Sequence, residues 1–128
     1  MVKIEFPSKV SQFLQKYIKS VWHLELILFL ESNTKPMTSR EIANTLYLSP
    51  DAIENALSKF EKNGILKSID NGAKSYIYGP KDSDLDDAIK QTARAYAERR
   101  VAIINQIFAS PLQSFSDAFR LSEEKENQ

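Results

Sequence analysis

The residues of this 128-residue chain best suited to chemistry at a partner's surface lie between Thr38 and Lys74. Ser49, Asp51, Glu54, Asn55, Ser58 and Lys59 recur at helical spacing, on the side of one helix opposite its apolar stripe. An asparagine amide pairs with the N6 and N7 groups of adenine, and a carboxylate accepts from the amino group of cytosine. Hydroxyls such as those of Thr38, Ser49 and Ser58 suit phosphate oxygens. Lys59, Lys67 and Lys74 add charge for phosphate neutralisation, and Ser39, Arg40 and Lys62 complete the set. Together these types could read a groove of double-stranded DNA.

Other chemistries lack their parts. Catalysis needs a nucleophile with a base, paired carboxylates in a pocket, a metal or a cofactor cradle. With one histidine, no cysteine, three glycines and no phosphate-binding loop, the chain reads as a non-enzyme without metal or cofactor. His23 has no thiol or carboxylate cluster beside it to complete a metal site, so it reads as a structural residue at the edge of the core. Asp82-Ser83-Asp84-Leu85-Asp86-Asp87 has the alternating aspartates of a calcium loop. The sharp-turn glycine position is Asp87, however, and the closing bidentate position is Ala93. Acidic residues at a helix start account for the run.

The elements that must position the polar set are legible from local signals. Thr38, with Glu41 three residues on, forms a capping box for a helix over Ser39 to Leu46. After Tyr47-Leu48, Ser49 caps a second helix with Pro50 at its first position and Asp51 against the dipole. Ile53, Ala56, Leu57 and Phe60 form its apolar face, and Asn63-Gly64 ends it. Ile65 to Asp70 and Ala73 to Tyr78 read as strands around Asn71-Gly72, a pair expected to supply two positive φ angles in a two-residue turn. This order is that of a winged helix-turn-helix, in a mainly α chain with a small β-hairpin wing.

Thr38-Ser39-Arg40-Glu41-Ile42-Ala43, the Leu46 to Pro50 turn and Leu57-Ser58-Lys59-Phe60-Glu61-Lys62-Asn63-Gly64-Ile65-Leu66 resemble the bacterial MarR-like regulators over about half the chain. The resemblance implies a winged helix-turn-helix fold and DNA binding in transcription regulation. Ser20-Val21-Trp22-His23-Leu24-Glu25, Tyr96-Ala97-Glu98-Arg99-Arg100 and Ser114-Phe115-Ser116-Asp117-Ala118-Phe119-Arg120 are similar to a small bacterial group of winged-helix regulators. That second resemblance spans nearly the whole chain and implies architecture without naming a ligand.

Outside the winged helix, Pro7-Ser8 opens a helix with Val10, Phe13, Leu14, Tyr17, Ile18 and Val21 on one stripe. It reads as an extra amphipathic helix packed on the domain or across a dimer; Lys9, Lys16 and Lys19 are too few for a membrane-surface helix. Ser20 is expected to cap the next helix, Val21 to Glu31, which is apolar on more than one side and so buried. Its apolar run is about half of what a membrane span requires, and it contains His23 and Glu25.

After Gly79-Pro80 a single helix is expected from about Ser83 to Ala109, roughly 40 Å long. Leu85, Ile89, Ala93, Ala97, Val101, Ile104 and Phe108 mark one stripe, which Tyr96, Ile103 and Ile107 widen. A chain of this size has little to cover such a surface, which points to a homodimer through Tyr96, Val101, Ile104, Ile107 and Phe108. Arg94, Arg99 and Arg100 read as a solvated face with local partners such as Glu98. Ser110-Pro111 starts a last short helix bearing Leu112, Phe115, Ala118 and Phe119, and Leu121 to Gln128 form a frayed end. The division expected is a winged-helix domain with its extra helix over 1–80 and a helical dimerisation extension over 81–128.

Net charge is zero, with seventeen basic and seventeen acidic side chains; residues 1–80 carry ten against eight. So mild a basic lean leaves two readings open. One is a DNA-binding homodimer. In the other the winged helix docks a protein, which near-neutral charge and the acidic Asp51 and Glu54 also suit. Without cysteine or a visible signal peptide, the cytoplasm is the expected compartment.

Overall fold

The computed structural model describes residues 6–109. The expected helix at Ser110-Pro111, with Leu112, Phe115, Ala118 and Phe119, lies outside them, as does the end from Leu121 to Gln128. In order, the chain forms α1 (Ser8–Tyr17), α2 (Val21–Ser32), β1 (Met37–Thr38), α3 (Ser39–Leu46), α4 (Pro50–Lys62), β2 (Leu66–Asn71), β3 (Ala73–Tyr78) and α5 (Ser83–Glu98). A further helix, α6, follows over residues 100–109.

Two compact units result, one made of Trp22–Ile89 and the other of the described residues on either side of it. The boundaries fall at 21/22 and 89/90. In the central unit, α2 buries Leu24, Leu26, Ile27 and Leu30, as its apolar circumference requires. Ile42 and Ala43 of α3, and Ile53, Ala56, Leu57 and Phe60 of α4, are buried with them. All four apolar positions of α4 are thus inside, and burial of Phe60 and Leu57 contributes about 1.5 to 3 kcal/mol each. In the other unit, Val10, Phe13, Leu14 and Ile18 are buried together with Ile103 and Ile107.

The helix ends follow local chemistry. At α3, Thr38 Oγ1 accepts from the Glu41 N–H at 3.2 Å and Glu41 Oε1 accepts from the Thr38 N–H at 2.9 Å, a complete capping box. Helix α4 ends in a Schellman motif: Gly64 has φ +81°, its N–H bonds Glu61 O, and the Ile65 N–H bonds Phe60 O at 2.9 Å. For α5, Asp82 Oδ1 accepts from the Leu85 N–H at 2.8 Å, so the first aspartate of the acidic run is a helix cap. Two expected caps are not made. Ser49 stands at the start of α4 without a side-chain capping bond, and Ser20 Oγ is buried with no hydrogen-bond partner.

The hairpin pairs β2 and β3 antiparallel from Leu66 with Tyr78 to Asn71 with Ala73. Only Gly72 takes positive φ, at +90°; Asn71 remains in the strand, so the expected two-residue turn with two positive φ angles is replaced by a tighter apex on Gly72. A third strand that the sequence did not announce, β1, pairs with β3 through Met37 with Tyr76 and Thr38 with Ser75. Two residues are too short for any periodic signal.

The single helix expected from Ser83 to Ala109 is also corrected. Helical structure lapses at Arg99, although the Arg99 N–H still bonds Ala95 O and the Ile103 N–H bonds Arg99 O. No proline or glycine marks the place. Among the described residues, no helix is long and apolar enough to cross a membrane.

Candidate functional site

Burial of Ile53, Ala56, Leu57 and Phe60 fixes the rotation of α4, leaving Ser49, Pro50, Asp51, Glu54, Asn55, Lys59 and Lys62 exposed. Ser58 is half-buried at the edge of that face. Helix α3 packs against α4 and contributes exposed Arg40, with Thr38 and Ser39 half-buried at its start. Thr38 Oγ1 accepts the capping bond, and its hydroxyl hydrogen stays free to donate. Lys67 on β2 and Lys74 on β3 are both exposed.

Two carboxylates of α4 make side-chain contacts with the hairpin. Glu54 and Glu61 are seven residues, about two turns, apart and share one side of the helix. Tyr76 donates its hydroxyl to Glu54 Oε1 at 3.2 Å. Glu61 accepts from the Ser68 hydroxyl and pairs with Lys74 Nζ at 3.2 Å. Lys74 Nζ also lies 5.3 Å from the Tyr76 ring centroid, closing a network that ties hairpin to helix. The Ser68 hydroxyl, and then Lys74, hold the Glu61 carboxyl below its usual range, while Glu61 in return raises Lys74. Burial, with the nearby Glu54 charge, pushes the Tyr76 phenol up.

These contacts add intramolecular partners to two residues of the expected DNA-facing set. Glu54, exposed on the expected DNA-facing edge, also accepts from the Tyr76 hydroxyl. Lys74, the residue expected to meet phosphate from the wing, stays exposed and also pairs with Glu61 within the hairpin-helix network. Neither Tyr76 nor Ser68 carried a sequence signal for this role, because the register that brings them to α4 exists only in the folded sheet. The outward polar set on α4 is Ser49, Asp51, Glu54, Asn55, Lys59 and Lys62.

His23 packs edge-on against Phe60, with ring centroids 5.6 Å apart, and against Trp22 at 4.2 Å. Its Nδ1 is buried without a hydrogen-bond partner, and burial, followed by the Lys59 charge, lowers its pKa from 6.5. A neutral imidazole therefore backs the helix that presents Asn55 and Lys59. Among the described residues, no group of three or more His, Asp or Glu side chains is placed to hold a metal ion. At the far end of the hairpin Tyr78 donates to Asp86 Oδ1 at 2.7 Å, and burial followed by this carboxylate raises its phenol strongly.

The residues expected at a dimer interface divide between two faces. Ile107 is only 1% exposed and, with Ile103, is covered within its own chain, so it is not available to a partner. Val101 is 71% exposed and Phe108 54%, with Ile104 partly exposed between them. Spacings of three and four residues put these three on one stripe of α6. Tyr96 is half-buried on α5 with the Arg100 guanidinium 5.3 Å from its ring centroid.

Neither a protein-family model nor a curated protein matches the sequence. Solved structures do match the fold. A MarR/EmrR-family transcriptional regulator from Acinetobacter sp. ADP1 aligns over 94% of this chain and 85% of its own, with TM-score 0.55 and 14% identity. A transcriptional regulator from Thermotoga maritima aligns over 92% and 85% with TM-score 0.52 and 10% identity. A MarR-family transcriptional regulator from Streptomyces coelicolor aligns over 87% and 84% with TM-score 0.54 and 12% identity. The chain has the winged-helix fold of these regulators.

Proposed function

We propose that this protein is a DNA-binding transcription regulator that acts as a homodimer in the cytoplasm, without catalysis. The observation that carries the reading is the outward edge of α4. Its apolar side is wholly buried, while Asn55, Lys59, Lys62 and Ser49 stand exposed in a row beside a three-stranded wing. In the helix-turn-helix mode such an edge enters the major groove. Asn55 then reads an adenine, Lys59 and Lys62 meet phosphates, and Lys67 approaches the backbone from the wing.

The acidic residues weigh less against this reading than their number implies. Glu54 accepts from Tyr76, and Glu61 is countered by Lys74, which leaves Asp51 at the first turn, where it also favours the helix dipole. The regulators that share this fold are described as regulating transcription, which supports the same role here. The stripe of Val101, Ile104 and Phe108 supports pairing through the C-terminal extension from residue 81.

A salt series of fluorescence-anisotropy titrations on mixed-sequence duplex DNA tests the proposal. Binding should weaken with salt, and Lys59→Glu or Lys67→Glu should lower affinity for every sequence and flatten the slope by about one unit. Asn55→Ala should cost about 1 to 3 kcal/mol at one base position and leave nonspecific affinity nearly intact. If the parent shows no salt-sensitive binding at low ionic strength, and neutralising Asp51 and Glu54 together creates none, the DNA reading fails and a protein partner takes its place.

A further inference from the structure

The turn between α3 and α4 contains the one non-glycine residue with positive φ among the described residues, and it is an aromatic one. Tyr47 has φ 57° and ψ 45°, in the left-handed region. Its N–H bonds Ala43 O, the five-to-one bond of a left-handed helix cap, and the N–H of Leu48 bonds the same carbonyl at 3.0 Å, the six-to-one bond of a Schellman turn. Glycine usually fills that position, because a Cβ there crowds the neighbouring carbonyl. The sequence instead places a large side chain, and the fold leaves it 93% exposed. A single exposed aromatic is ordinary, and so is a single left-handed residue in a turn. A bulky residue that bears the strain and returns almost no burial points to a use outside the folded chain.

Position identifies that use. Two Cα steps of about 3.8 Å hold Tyr47 within about 8 Å of Ser49, at the end of α4 that leads into the groove. We infer that Tyr47 is a DNA-backbone contact: its phenol donates to a phosphate oxygen and its ring lies against a deoxyribose beside the recognition helix. Tyrosine hydroxyls are regular phosphate donors, and such contacts fix register without reading sequence. The inference rests on the DNA-binding reading and adds to it a residue that carries no charge.

The absence of charge gives the test its signature. Tyr47→Gly and Tyr47→Asn suit the left-handed backbone, so both should unfold no earlier than the parent in a thermal melt. In anisotropy titrations on mixed-sequence duplex DNA, both should weaken binding about tenfold, the scale of one hydrogen bond to a charged group. The salt slope should stay at the parent value, since no phosphate charge is neutralised by a phenol. Tyr47→Phe should lose the hydroxyl's share and keep the ring's. The inference is overturned if Tyr47→Gly binds as tightly as the parent, or if it melts clearly lower, which would give the side chain a role in the fold. A parent with no salt-sensitive binding overturns the DNA reading itself, and this inference with it; the variant-to-parent ratio is read only where the parent binds.

Discussion

Replacing Phe108 with alanine should weaken self-association by an amount that follows from its exposure. A phenylalanine offers about 200 Å² of surface. At 54% exposure, about 110 Å² remains uncovered on each copy of the chain. Covering that area contributes about 2.7 kcal/mol per copy at about 25 cal/mol per Å², and a two-fold interface uses it twice. Alanine keeps part of the area, and ordering a side chain at an interface costs about 0.5 to 1.5 kcal/mol. The expected loss is therefore about 2 to 5 kcal/mol, or roughly 30- to 4000-fold in the dimer dissociation constant. Sedimentation equilibrium over a dilution series measures it directly, with circular dichroism to show that the helices are kept. Ile107→Ala is the contrasting change: that side chain is covered in its own chain, so about 2 to 5 kcal/mol should be lost from the fold. A parent that stays monomeric at the highest attainable concentration, or a Phe108→Ala chain with an unchanged constant, refutes the reasoning.

Tyr76→Phe removes the hydroxyl that Glu54 accepts and should cost about 1 to 3 kcal/mol of stability in a denaturant titration, while the freed carboxylate weakens DNA binding. An unchanged denaturation midpoint would mean that the contact is idle. For His23, burial lowers the folded-state pKa below 6.5, so the unfolded chain binds the proton more tightly. Stability is then fully present above about 6.5 and falls as pH drops toward the folded value. Melting temperatures across this range should show the fall in the parent and lose that part of it in His23→Phe. Gly64→Ala must adopt φ near +81° and also displaces the Lys81 side chain, 2.6 Å from the added Cβ, so it should destabilise by at least about 1 kcal/mol. At Gly72 the surroundings are open and only the positive φ opposes alanine, which makes the loss there the smaller of the two.

Local chemistry by itself determined the winged helix. The capping box at Thr38, Pro50 at the head of α4, Gly64 at its end and the turn at Gly72 act within a few residues, where sequence distance and spatial distance coincide. The apolar spacing of Ile53, Ala56, Leu57 and Phe60 likewise fixed which edge of α4 faces outward. Tertiary structure alone decided what the charges on that edge do. Glu54 and Tyr76 are twenty-two residues apart, and only the pairing of β3 between β1 and β2 brings the phenol to the helix. The same holds for Lys74, whose charge reads as available until Glu61 is seen beside it. The apolar stripes after residue 96 were legible as apolar but not as two faces. Periodicity reports that a surface must be covered, and only the packed chain shows that Ile103 and Ile107 are covered from within while Val101 and Phe108 are not. The left-handed turn at Tyr47 was hidden for a related reason: its backbone is set by closing α3 onto α4, against the preference of the residue that occupies it.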